Sequence, residues 1–174
     1  MIKSKQGIKD SFQIPMKEVR IMNEYMKKAK ENARKGMENQ EGGPFGAVIV
    51  DNEGNIIANG NNRVIQEKDP TQHAEIVAIR NACKKLDTYD LSECTLYTSC
   101  EPCPMCLSAI IWSNIKTVYY GCTKEDAGKI GFRDDMIYDY LKGKDTELIH
   151  LKQIDREECI KEMEDYEKRG GVIY

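Results

Sequence analysis

At 174 residues, with 32 % charged and 40 % hydrophobic residues, the chain has the size and balance of one soluble globular domain. A net charge of −3 and a sequence pI near 5.6 exclude a global attraction to phosphates, so a nucleic-acid ligand would need a local basic patch. No apolar run approaches the about 20 residues of a bilayer span, and the basic start has no apolar signal core, so the expected location is the cytoplasm.

No repeat or low-complexity tract divides the chain, and a single domain over 1–174 is expected. Met1 to Ile14 reads as a loose leader. From Pro15, the residues Val19, Met22, Met26, Ala29 and Ala33 recur at steps of three and four, which predicts an amphipathic helix ending near Gly36. Gly42-Gly43-Pro44 breaks the chain before a buried strand over Phe45 to Val50. A turn at Asn52-Glu53-Gly54-Asn55 and a second strand over Ile56 to Asn59 complete a hairpin. After a polar loop from Asn61 to Gln72 comes a helix with Ile76, Ile79, Cys83 and Leu86 on one stripe. A strand over Cys94 to Thr98, a helix opened by Pro102 and running to about Ser113, and a strand over Ile115 to Gly121 follow. That order implies parallel neighbours joined by a right-handed crossover.

Thr123 to Gly143 reads as short helical pieces with loops. Glu147 to Ile154 reads as a fifth strand, with His150 in it and without a chemical task. Asp155 is expected to cap a last helix, Glu158 completing a capping box, Cys159, Met163 and Tyr166 forming its stripe and Gly170 its end. The sum is a three-layer α/β/α domain with a mixed sheet of about five strands.

The chemistry lies in His73-Ala74-Glu75 and Pro102-Cys103-Pro104-Met105-Cys106. His73, Cys103 and Cys106 supply three of the four ligands of tetrahedral zinc, and a catalytic zinc fills the fourth place with water. Such a water has its pKa lowered to about 7, and Glu75 is the natural proton carrier. Residues two apart on a regular helix do not share a face, so His73 and Glu75 can serve one site only if the helix begins at His73, which the loop-like Asp69-Pro70-Thr71 allows. The seven cysteines are odd in number and cluster around this motif, which favours metal chemistry over a disulfide framework. Three rival readings stand beside it: a thioredoxin-like redox pair at Cys103 and Cys106, a structural zinc with Cys100 as fourth ligand, and His73 as a plain polar residue at a helix start.

The His-x-Glu and Pro-Cys-x-x-Cys pairing is the known motif of the zinc nucleobase deaminases. Within that superfamily, Gly42-Gly43-Pro44-Phe45-Gly46-Ala47, Thr71 to Arg80, Leu96 to Cys106, Gly131-Phe132-Arg133-Asp134-Asp135 and a terminal tyrosine resemble the bacterial guanine deaminases of the cytidine-deaminase fold, over most of the chain from about Met22. The resemblance implies zinc-dependent hydrolysis of guanine to xanthine and ammonia, in purine catabolism. His73, Cys103 and Cys106 would hold Zn2+, Glu75 would carry the proton, and Asp134 would be a second proton shuttle. Asn62 and the Ala74 backbone would face the base. Phe45 and Phe132 offer stacking faces, a core role being equally open for Phe45, and Trp112 either walls the pocket or packs. The resemblance further implies a homodimer that exchanges a C-terminal segment from about 155 to 174, Tyr174 closing the partner's site. Arg133 stands where relatives carry an acid, a departure beside Asp134. The alternatives are a transfer-RNA adenosine deaminase, a cytosine or cytidine deaminase, and a zinc-stabilised binding module in which Glu75 is idle.

Overall fold

The computed structural model describes residues 16–144 and 147–173, with side chains from residue 24 onward. The leader 1–14, Pro15, the side chains of Val19 and Met22, and Tyr174 lie outside the described residues. In chain order the elements are α1 (Met16–Glu38), β1 (Gly46–Asp51), β2 (Ile56–Asn61), α2 (Val64–Glu67), α3 (Ala74–Leu86), β3 (Cys94–Cys100), α4 (Pro104–Trp112), β4 (Thr117–Cys122), α5 (Lys124–Lys129), α6 (Asp135–Leu141) and α7 (Arg156–Lys168).

The sheet order is β2-β1-β3-β4, with β1 antiparallel to β2 and β3, and β3 parallel to β4 as the crossover requires. Alternation along the central strands builds two cores. Ala47, Ile49 and Leu96 face Ala74, Ala78 and Ala82 of α3 and Ile110 of α4. Val48, Val50 and Tyr97 face Ala29 of α1, with Tyr25 and Met26 alongside. Helices on both faces of a mixed sheet give the expected α/β/α layering.

Several boundaries differ from the pattern, each for a local reason. The first helix continues past Gly36 to Glu38, and the chain turns at Gln40, whose φ is 58°. Gly36 is buried, and a Cβ there would strike the Asn61 amide, so the glycine serves packing rather than termination. On α3 the buried residues are Ala74, Glu75, Ile76, Val77, Ala78 and Ala82, so Ile76 of the expected stripe is buried, whereas Ile79 and Cys83 are half-buried against the core and Leu86 is exposed. Small residues win this face because α3 lies so close on β2 that a Cβ at Gly60 would collide with the Ala74 carbonyl. Helix α4 opens at Pro104, not Pro102, with Pro104 in the first-turn position where its missing N–H costs nothing.

The sheet has four strands where about five were expected. Residues 147–154 run as irregular chain, and Leu148, Ile149, Leu151 and Ile154 are all exposed; His150 lies 3.9 Å from Glu147 rather than in a strand. Asp155 does precede α7, but in the left-handed region (φ 50°) with no side-chain cap, and Glu158 bonds Lys161 instead of closing a box. Cys159, Met163 and Tyr166 share their stripe in solvent. Gly170, at φ 68°, ends α7 as expected: its N–H donates to the Glu167 carbonyl and that of Gly171 to Tyr166, the pairing of a Schellman motif. Among the described residues no helix is long and apolar enough to cross a membrane.

Candidate active site

Two helix beginnings meet at the site. His73 is the N-cap residue of α3 (φ −70°, ψ 157°) and Cys103 that of α4 (φ −65°, ψ 167°). The loop before α3 is held by Asp69, whose Oδ1 accepts from the Thr71 N–H (2.8 Å) and hydroxyl (2.7 Å) and whose Oδ2 accepts from the Gln72 amide (2.9 Å). These bonds hold the Asp69 carboxyl below its usual range. Extended backbone at His73 is the condition under which His73 and Glu75 reach the same space.

His73 Nδ1 lies 3.6 Å from Cys103 Sγ and 3.5 Å from Cys106 Sγ, and the three donor atoms all fall within 4.8 Å of one another. A tetrahedral zinc with bonds of about 2.3 Å to sulfur and about 2.1 Å to nitrogen holds such ligands about 3.6 Å apart. The donor set therefore fits zinc in both chemistry and spacing. The three groups are also coupled through their protons. Bonds from Cys106 and from His73 hold the Cys103 thiol down to about 4. Cys106, donating into that bond amid buried negative charge, is pushed far up, and the bond to Cys103 raises His73.

Cys100 does not join the set. Burial pushes it up to about 11, and its thiol donates to the Thr123 carbonyl at 3.6 Å. Among the described residues the cluster consists of one imidazole and two thiols, which leaves a metal one open corner. Glu75 borders that corner. It is 5 % exposed, and burial pushes its carboxyl up. Its Oε1 accepts from the Thr98 hydroxyl at 3.1 Å, and its Oε2 lies 3.5 Å from Cys106 Sγ.

Thr98 was not legible in the sequence as a site residue. It is fully buried in β3, and its hydroxyl fixes the rotation of the Glu75 carboxylate. Thr98→Val keeps the volume and removes the donor; the expected result is about a tenfold fall in kcat, the size of one bond to a charged group, with zinc content unchanged and with Thr98→Ser close to the parent. Steady-state kinetics on the three proteins decides it.

A cavity of about 660 Å³ opens over the metal corner. Asn62 lines it and is 4 % exposed. Its Oδ1 accepts from the N–H groups of Gly43 (3.1 Å) and Val64 (3.2 Å), which leaves the amino end of the carboxamide as a donor for the cavity. A Cβ at Gly42 would collide with that oxygen, so glycine is needed there. Phe45 and Phe132 line the cavity in edge-to-face contact, centroids 4.9 Å apart and planes at 90°. Asp134 also lines it, and burial raises its carboxyl, with the nearby Cys103 charge a second cause. Ala74 is fully buried at the first turn of α3. Trp112 is placed elsewhere: it ends α4, is 67 % exposed and does not line the cavity. Glu101 and Lys124 line the cavity and were not anticipated, nor were the apolar Val64, Ile65 and Pro70 on its rim.

Three residues positioned to bind a metal at paired helix starts, with a buried carboxyl beside them, fit a metal-dependent hydrolase built on an α/β/α sheet. Residues 20–122 match the cytidine and deoxycytidylate deaminase zinc-binding region, and the chain belongs to that family. It is 54 % identical over 114 residues to the guanine deaminase of Bacillus subtilis, covering 66 % of this chain and 72 % of that one. The solved structure of that enzyme superposes with a TM-score of 0.79 at 44 % identity, covering 84 % of this chain and 93 % of the other. A guanine deaminase from Nitrosomonas europaea superposes with a TM-score of 0.61 at 34 % identity, covering 74 % and 80 %. A tRNA-specific adenosine deaminase from Haemophilus influenzae is 46 % identical over 97 residues, covering 56 % of each chain.

Proposed function

We propose that the protein is a guanine deaminase, which adds water at C2 of guanine and releases xanthine and ammonia. The observation that carries guanine over the other bases is the higher identity, over a longer stretch, to a guanine deaminase than to a tRNA-specific enzyme. The acidic balance of the chain agrees, because a tRNA substrate is held chiefly through its phosphates.

His73, Cys103 and Cys106 would hold zinc, which would supply Lewis acidity that lowers the pKa of a water toward neutrality. The chain's own residues do the rest. Phe45 and Phe132, in edge-to-face contact with each other, form an aromatic wall against which a flat ring packs, and the Asn62 amino group donates to an acceptor on the base. Glu75 Oε2 takes a proton from the attacking water and passes it to the ring nitrogen beside C2. The amino group must then leave as ammonia, which needs one more proton. Asp134, on the cavity wall, is the group that relays it, taking it from the hydroxyl that the water left on C2 as the carbonyl forms. Transfers of this kind contribute about 10²–10⁴-fold each.

The same reading includes a homodimer in which about 155–174 crosses to the partner and Tyr174 closes the partner's cavity. Support comes from the exposure of apolar side chains that a lone subunit leaves in water: Met163 at 72 %, Val172 at 65 % and Ile173 at 88 %. Deleting residues 170–174 is then expected to lower guanine turnover by about 100-fold, the cost of losing a closing element, with zinc content intact. Unchanged activity would remove the lid from the mechanism. The same reading puts the reaction in purine catabolism and the protein in the cytoplasm, the location expected from its sequence.

The function is tested by ammonia release from guanine, adenine, cytosine, their nucleosides and a tRNA anticodon stem-loop. Guanine is expected to be the preferred substrate. Release from the stem-loop with none from guanine would replace this reading by tRNA adenosine deamination.

A further inference from the structure

Asp134 and Phe132 reach the cavity from the stretch between α5 and α6, and neither helix has a buried residue. Core burial therefore does not hold this stretch over the metal loop, and its placement depends on a few directional contacts. Phe45 meets Phe132 on one side of the cavity. At the metal loop, the Glu101 Oε2 accepts from the backbone N–H of Lys124, the first residue of α5, at 3.2 Å. Glu101 stands two residues before Cys103, is half-buried, and is itself tied to β4 by its N–H donating to the Cys122 carbonyl at 2.9 Å.

The contact does not stop at α5. The Lys124 ammonium lies over the Tyr138 ring, 4.6 Å from its centroid. Tyr138 sits one turn after Asp134 in α6, and its N–H donates to the Asp134 carbonyl at 3.4 Å. A continuous path thus runs from the metal loop through Glu101, Lys124 and Tyr138 to Asp134. Two of its members carry a formal charge. One is a hydrogen bond to a carboxylate and the other a cation over an aromatic face.

We infer that Glu101 is a positioning residue, whose carboxylate, acting through Lys124 and Tyr138, sets the place of Asp134 relative to the metal loop. It need not touch the substrate. What it supplies is an acceptor at a fixed point beside Cys103, onto which the α5–α6 stretch is hung. The kinetic part of this inference rests on Asp134 serving as the second proton carrier in base deamination.

Three variants of the full-length, zinc-loaded protein test it: Glu101→Gln, Glu101→Ala and Lys124→Met. Glutamine keeps a carbonyl acceptor for the Lys124 N–H, and alanine removes it. Amide hydrogen exchange at Lys124 is expected to lose protection in Glu101→Ala and to keep it in Glu101→Gln and Lys124→Met. With guanine, Glu101→Ala and Lys124→Met should each lower kcat by about tenfold, equivalent to about 1.4 kcal/mol in the barrier, at unchanged zinc content and KM, while Glu101→Gln stays near the parent. Unaltered kcat in Glu101→Ala would overturn the inference, as would a Glu101→Gln variant as slow as Glu101→Ala, since the charge itself would then be at work. If Glu101→Ala does not fold, Lys124→Met decides by the same kinetic criterion. Failure of the guanine reading is distinguishable, because it shows as absent guanine turnover in the parent protein, whereas exchange at Lys124 tests the contact without any substrate.

Discussion

Glu75→Gln is expected to retain its full complement of zinc and to lose deaminase turnover by about 10²–10⁴-fold, the range of a positioned general acid–base. The substitution is close to isosteric, and its structural consequences are small for a specific reason. The buried Thr98 hydroxyl needs an acceptor, which the glutamine Oε1 provides in place of the carboxylate oxygen. Burial already disfavours the charge on Glu75, so a neutral amide removes a penalty instead of adding one. Thermal stability should therefore hold or rise. What the amide lacks is a site that can take a proton from water and return it to a ring nitrogen. Elemental analysis, a melting curve and an ammonia assay on one preparation check all three statements. A variant with full turnover would remove Glu75 from the chemistry and leave it as a structural residue.

The metal half of the site was legible because its geometry is local. His73 and Glu75 are two residues apart, Cys103 and Cys106 three apart, and each pair sits where a helix begins. A helix start converts short sequence spacing into one shared direction, so reading the motif was equivalent to reading the geometry. Thr98 had no such signal. Its contact with Glu75 spans 23 residues and two elements, and a threonine in a strand reads as a β-former. Glu101 was hidden for the opposite reason: adjacent to the motif, it looked like part of it, and its partner Lys124 lies beyond the next helix and strand. The sheet was legible except for 147–154, where apolar residues suggested a strand but no described neighbour pairs with them. On α3 the apolar period marked the larger residues, although the approach to β2 is set by Ala74, Ala78 and Gly60, which carry little hydropathy signal. Periodicity finds bulk, and this interface is made from its absence.

Stripping zinc with a chelator is expected to abolish turnover and also to lower the melting temperature, both effects reversing when zinc is returned. The second effect follows from what the ion leaves behind. Without it, a thiolate at Cys103, an imidazole drawn toward its charged form and the buried Glu75 are packed together, held by hydrogen bonds that a divalent cation replaces. A folded chain that gathers three ligand atoms within 4.8 Å binds the metal far better than an unfolded one, so binding free energy becomes folding free energy. At free zinc about 1,000-fold above its Kd the gain is about 4 kcal/mol, which for a chain of this size corresponds to a shift of about 8–16 °C. Two variants locate the effect. Cys106→Ala should bind zinc poorly and melt near the stripped protein. Cys100→Ser should keep both zinc and melting temperature, because its thiol is held by the Thr123 carbonyl outside the ligand set. If Cys100→Ser lost the metal instead, the fourth corner would be a protein ligand, and no position would remain for the water that the chemistry consumes.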